Sequence, residues 1–138
     1  MNKIVLVTGG SRGIGAATVQ AFAQAGCRVI LNYNKSEAAA RAIADAWPGQ
    51  VFPVQADVSD PAQVEELFRQ AEALCGPVEV LVCNAGLAQQ KLFTDLTDAD
   101  WARMIGVHLS GAFYCCRRAL PGMIRRKWGR ILTVSSMW

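Results

Sequence analysis

The glycines at Gly9, Gly13 and Gly15, with Ser11, Arg12 and Ile14 between them, form a turn in which backbone can approach a phosphate group closely. A helix beginning near Ile14 adds free N–H groups and the positive end of its dipole, so the chemistry of this stretch is anion binding. The spacing is Gly-x-x-x-Gly-x-Gly, which differs from the Gly-x-Gly-x-x-Gly of the commoner dinucleotide turn. Further along stand Asn32-Tyr33-Asn34-Lys35, Asp57-Val58, Asn84-Ala85-Gly86 and Ser135-Ser136, nearly all small, polar or hydrogen-bonding groups. His108 is the single histidine, which excludes a multi-histidine metal site. The five cysteines, Cys27, Cys75, Cys83, Cys115 and Cys116, show no Cys-x-x-Cys pair and no metal-ligand spacing. An odd number of thiols without a secretion signal points to reduced cysteines in a cytoplasm.

Each polar group follows an apolar run that reads as a strand, and the first two read as buried ones. Ile4 to Val7 is short, continuous and rich in β-branched residues, as a strand covered on both faces should be. Arg28 to Leu31, Val51 to Ala56, Val78 to Cys83 and Arg130 to Val134 repeat the pattern. Helical rhythms lie between them. The first places apolar residues at Ile14, Ala17, Ala21, Phe22 and Ala25 and stops at Gly26. The second runs from a Ser36 cap through Ile43 to Trp47, where Pro48-Gly49 ends it. The third has Asp60 as cap and Pro61 in its first turn, with Val64, Leu67, Phe68, Ala71 and Leu74 as its apolar face. Thr97 with Asp100 has the spacing of a capping box. It opens a long helix with Trp101, Ile105, Leu109, Ala112 and Cys116 on one stripe, and Pro121 is expected to interrupt or kink it.

This alternation predicts an α/β fold, a Rossmann-type doubly wound parallel sheet with right-handed crossovers. It forms one nucleotide-binding domain over residues 1–138, truncated after the fifth strand. Ligands of such sheets sit beyond the carboxyl ends of the strands, which is where every polar group above falls. The chain is 138 residues long and 52% apolar, with a mean hydropathy of +0.20. No stretch approaches the roughly eighteen uninterrupted apolar residues of a membrane span, and the apolar run before Thr8 is too short for a signal-peptide core. A net charge of +3 is too small to argue for nucleic acid. The expected protein is cytoplasmic, with no membrane and no nucleic-acid partner.

The run TGGSRGIG, Asp57-Val58, Cys83-Asn84-Ala85-Gly86 and GRILTVSS from Gly129 to Ser136 together resemble, in one register along the whole chain, the short-chain dehydrogenase/reductase family. The resemblance implies an NAD(P)-dependent oxidoreductase in which Asp57 and Val58 meet the adenine and Asn84, Ala85 and Gly86 steady the sheet beside the cofactor. NAD sites of this type place an acid at the end of the second strand to hold the ribose hydroxyl. Here Asn32, Tyr33, Asn34 and Lys35 bring no carboxylate, and Arg12 stands in the glycine loop, so the expected cofactor is NADP(H). The alternative is that Arg12 and Lys35 are merely solvated cations.

Family catalysis uses a serine, a Tyr-x-x-x-Lys pair and a helix asparagine. Ser136 matches the serine, and Ser135 reads as a strand residue. Neither Tyr33 nor Tyr114 has a lysine four residues on, so this sequence is expected to be the N-terminal part of a longer enzyme. His108 stands where the family carries its asparagine and is a second catalytic candidate, the alternative being a packing residue. Among family branches, the loop, Asn32-Tyr33 and the basic ending are most similar to bacterial 3-oxoacyl-[acyl-carrier-protein] reductases. That resemblance implies reduction of a 3-oxoacyl thioester, a role in fatty acid biosynthesis, and a tetramer. It also implies an acyl carrier protein at Arg125, Arg126, Lys127 and Arg130, which the bland reading makes solvated cations at a helix end. Other readings are a sugar, alcohol or cyclic-ketone dehydrogenase, or a nucleotide-binding domain without chemistry.

Overall fold

Continuous apolar runs are satisfied by covering both faces of a sheet, and the chain does so for its inner strands. The computed structural model describes residues 1–136. Its strands β1 (Ile4–Val7), β2 (Arg28–Tyr33), β3 (Val51–Gln55), β4 (Val80–Cys83) and β5 (Arg130–Thr133) form one sheet in the order β3-β2-β1-β4-β5. All neighbours are parallel, with Val5 opposite Val29 and Val80, and Leu81 opposite Ile131. The order reverses between β1 and β4, and that crevice is where a ligand binds in open α/β sheets.

The pleat sends alternate residues to opposite faces. Val5, Val7, Val29, Leu31 and Val82 pack against α1 (Gly13–Gln24) and α2 (Glu37–Ala46) through Val19, Ala23 and Ala40. Leu6, Ile30, Val54 and Leu81 pack against α3 (Pro61–Leu74) and the long C-terminal helix through Leu67, Phe68, Cys115 and Ala119. Full burial of one such aliphatic or aromatic side chain contributes roughly 1.5–3 kcal/mol. Arg118 also bridges Glu65 and Glu72 at 2.7 and 3.0 Å, yet partly exposed pairs of this kind are worth about 0–1 kcal/mol, so packing dominates the docking of these helices.

Several sequence expectations need correction. The buried face of α1 is Gly15, Val19 and Ala23, while Ile14 is 65% exposed and Ala17, Ala21 and Ala25 do not lie in the core. Alanine is tolerated on any helix face and so misdirects the periodicity. Leu74 ends α3 on the exposed side. The long helix comprises α4 (Asp98–Ile105), a π-helical segment at Gly106–Ser110 and α5 (Gly111–Arg126). The extra residue of the wider turn rotates the later positions by about 100°. The buried face of α5 is therefore Gly111, Cys115, Ala119 and Met123, and Trp101 and Leu109 are exposed. Pro121 does not interrupt α5, which runs five residues past it to Arg126. No helix among the described residues is long and apolar enough to cross a membrane.

Candidate nucleotide site

The carboxyl ends of β1 and β4 are knitted together by Thr8 and Asn84. The buried Thr8 hydroxyl accepts the N–H groups of Asn84 and Ala85 at 3.0 and 2.9 Å. The Asn84 amide donates in return to the carbonyls of Thr8 and Gly9 at 3.2 and 3.0 Å. Asn84 thus spans the switch point and fixes the glycine loop to the strand beside it. Thr8 was legible only as the residue before the glycines, and a buried hydroxyl at a strand end is the signal that marks it.

Gly9 and Gly15 have no room for a side chain. Gly9 has φ +62°, and a Cβ there would stand 2.8 Å from the Ala85 Cα. A Cβ on Gly15 would overlap the Gly9 carbonyl oxygen and come within 2.5 Å of the Asn84 amide. Gly13 opens α1, with Arg12 as an extended N-cap residue whose side chain makes no capping bond. The first turn of α1 therefore presents its free N–H groups past Gly13, Ile14 and Gly15. A close backbone cradle at a helix N-terminus fits a pyrophosphate.

A cleft of about 750 Å³ opens above this loop. Gly9, Ser11 and Arg12 line its near side, and Tyr33, Asn34 and Lys35 line the end of β2. Asp57 and Val58 form a third wall, and Asn84, Ala85 and Gly86 form the floor. The structure also places Ser59, Ala102, Arg103 and Gly106 on this cleft, residues that sequence reasoning missed because α4 reaches it only through the tertiary fold.

Individual side chains take distinct tasks. Asn32 touches the cleft, but its buried amide donates to the carbonyls of Ala56, Val54 and Tyr33 and its oxygen accepts Gly9 N–H at 3.3 Å. It clamps three strand ends together. Asn34 accepts from Gln55 at 3.2 Å. Asp57 closes a turn, accepting from the Ser59 amide and hydroxyl at 3.0 and 2.7 Å. Glu37, the first acid after β2, pairs with Arg41.

A second, smaller cavity of about 270 Å³ lies between the ends of β4 and β5 and the start of α5, lined in part by His108, Cys83, Cys115 and Ser135. Burial, reinforced by neighbouring thiols, pushes the Cys83 thiol far up, and burial with Cys116 pushes Cys115 up to about 12. Both are therefore neutral, and neither is a nucleophile. The His108 ring lies against Gly86, where a Cβ would stand 2.7 Å from it. Its Nε2 is 2.9 Å from the Leu87 carbonyl and 3.1 Å from the Leu87 amide, so it holds the loop after β4 by its main chain. Ser136 follows β5 as an exposed residue just beyond Ser135. Of the basic ending, Arg126 bonds the Val78 carbonyl and Arg130 lies over Trp128, which leaves Arg125 and Lys127 outward.

The short chain dehydrogenase family model matches residues 3–138. The chain is 36% identical to the 3-oxoacyl-[acyl-carrier-protein] reductase of Synechocystis sp., covering 98% of this chain and 56% of that protein. It is 38% identical to the D-beta-hydroxybutyrate dehydrogenase of Cupriavidus necator, covering 97% and 53%. A crystal structure of a short-chain dehydrogenase from Streptomyces avermitilis superposes with a TM-score of 0.91 at 32% identity, over 98% of this chain and 49% of that one. The chain spans about half the length of the relatives it matches.

Proposed function

This chain belongs to the short-chain dehydrogenase family, and from that premise we propose that it is the dinucleotide-binding part of an NADPH-dependent carbonyl reductase. The observation that carries the cofactor choice is the charge at the end of β2. Arg12 and Lys35 both line the cleft there, and the acid nearest in sequence is paired with Arg41. A 2′-phosphate would meet two cations there, whereas a bare ribose would find no acid at the end of β2 to hold its hydroxyls.

On this reading Gly9, Ser11, Gly13, Ile14 and Gly15 hold the pyrophosphate by backbone. Asp57 and Val58 bound the adenine, and Asn84, Ala85 and Gly86 support the ring system above the floor. The bound nicotinamide supplies hydride to a carbonyl carbon. Ser136 orients that carbonyl, and the proton donor and its lysine lie outside this sequence. His108 keeps the loop after β4 in place beside the reacting groups. The substrate is a 3-oxoacyl thioester on an acyl carrier protein, as the names of relatives at 34–36% identity suggest, and Arg125 and Lys127 offer cations to that acidic partner. A small 3-hydroxy acid is the second reading, favoured by the Cupriavidus relative at 38% identity. A cytoplasmic homo-tetramer completes the proposal.

Titrating the full-length protein with NADPH and NADH tests the cofactor, and NADPH-linked reduction of an acetoacetyl thioester tests the substrate. The double variant Arg12→Gln/Lys35→Gln should lose about ten-fold or more in NADPH affinity and leave NADH unchanged, since two charge-assisted bonds are removed. Equal losses for both cofactors would refute the 2′-phosphate assignment. Inactivity toward every acyl thioester would refute the substrate.

A further inference from the structure

The cations of this chain are mostly engaged. Among the described residues, Arg41, Arg69 and Arg118 pair with glutamates, and Arg28 and Arg126 bond carbonyl oxygens. Arg117 lies over Phe113 and Tyr114, and Arg130 over Trp128. Among the described residues Arg12, Lys35, Arg103, Arg125 and Lys127 have no such partner, and three of these five, Arg12, Lys35 and Arg103, line the same cleft.

Arg103 has no structural task that accounts for it. It stands in the last turn of α4, where a cation normally serves the carbonyl end of a helix, but the chain continues helically through Gly106–Ser110 into α5 and exposes no such end. Its neighbour one turn back, Asp100, is already held by Lys91, Gln89 and Thr97. The face it shares with Ala102, Gly106 and Val107 forms the cleft wall. Gly106 braces that wall, since a Cβ there would stand 3.3 Å from the Ser59 Cβ. Arg103, three residues before Gly106, therefore lines the cleft on the α4 wall that meets the Asp57–Ser59 turn, whereas Arg12 and Lys35 line it from the segments that precede α1 and α2.

We propose that Arg103 binds the nucleotide by laying its guanidinium plane on the purine base held at Asp57 and Val58. A planar, weakly hydrated cation suits a π-face, and a base bounded by Asp57 on its edge leaves that face open toward α4. The inference rests on the nucleotide reading above and assigns to that site a residue the family resemblance did not supply.

The test is affinity for NADPH and NADH in the full-length protein and in Arg103→Gln and Arg103→Lys. Arg103 is exposed, so both variants should fold, which circular dichroism verifies. Stacking predicts a loss of about three- to five-fold for Arg103→Gln, the same for both cofactors, because the base is common to them. Arg103→Lys should lose nearly as much, because it keeps the charge and lacks the plane. Unchanged affinity overturns the proposal, as does a loss confined to NADPH, which would place the guanidinium on the 2′-phosphate. Full rescue by Arg103→Lys overturns it too, since charge alone would then suffice. If the unsubstituted protein binds neither dinucleotide, the nucleotide reading itself falls and this inference with it.

Discussion

Asn32 lines the cleft, and its hydrogen bonds give it a structural task that its sequence position does not show. Its position at the end of β2 marks it, from sequence, as the place where an acid would select NAD. In the fold its amide is buried and donates to three carbonyl oxygens, while its own oxygen accepts Gly9 N–H. Asn32→Asp would set a carboxylate oxygen against those three carbonyls with little water to screen it. The expected outcome is a loss of about 2–3 kcal/mol in urea unfolding, with weaker binding of both cofactors, since the glycine loop loses its brace. Asn34→Asp, at the exposed neighbour, should leave stability within about 0.5 kcal/mol. Wild-type stability for Asn32→Asp together with a gain in NADH affinity would show instead that the side chain turns to the ribose. The glycines were legible because only one residue type tolerates their backbone or their close contacts. The task of Asn32 and the places of Thr8 and Arg103 were not, because hydrogen bonds to distant strands and a helix from the next crossover define them.

Caps were the most legible elements, since their chemistry is local. Asp60 accepts the Ala62 N–H at 3.0 Å, and Thr97 and Asp100 form both bonds of the capping box. Ser36, by contrast, sits at the N-cap of α2 without a side-chain bond. Thr97→Ala should therefore cost about 1 kcal/mol, read from the denaturation midpoint, whereas Ser36→Ala should cost a few tenths at most. Asp100 does more than cap. Its bond to Lys91, then the Thr97 amide, then Gln89, hold its carboxyl well below the ordinary carboxylate range and tie the loop after β4 to α4. A carboxyl depressed on folding stabilises above its unfolded pKa, about 4, and that contribution is lost as pH falls toward its folded value. Asp100→Asn should be less stable than wild type at neutral pH and converge with it in acid. A constant gap across that range would mean the carboxylate charge is not what matters. Helix faces were the least legible feature, because periodicity assumes a uniform turn and the π-helical segment at Gly106–Ser110 breaks it.

At the scale of the whole molecule, the parallel sheet and the crevice between β1 and β4 were legible because alternating strand and helix patterns admit few topologies. What the sequence pattern concealed is how uneven the covering is. The three inner strands β1, β2 and β4 are buried almost throughout, but β5 lies at a sheet edge with Leu132 46% exposed and the adjoining Val134 40% exposed. On the long helix, Leu109, Phe113 and Ile124 are each more than half exposed. The relatives are about twice as long, so their additional chain is a candidate to cover such surfaces. An open parallel edge beside exposed aliphatic side chains is a template for pairing with another chain. The 138-residue chain expressed alone should therefore self-associate at micromolar concentration, with light scattering that grows with concentration and binding of a hydrophobic dye. Extending it with chain that covers β5 should suppress both signals. A monodisperse, heat-resistant monomer of the short chain would show that β5 and the outer face of the long helix need no cover, and that the domain is self-sufficient at this length.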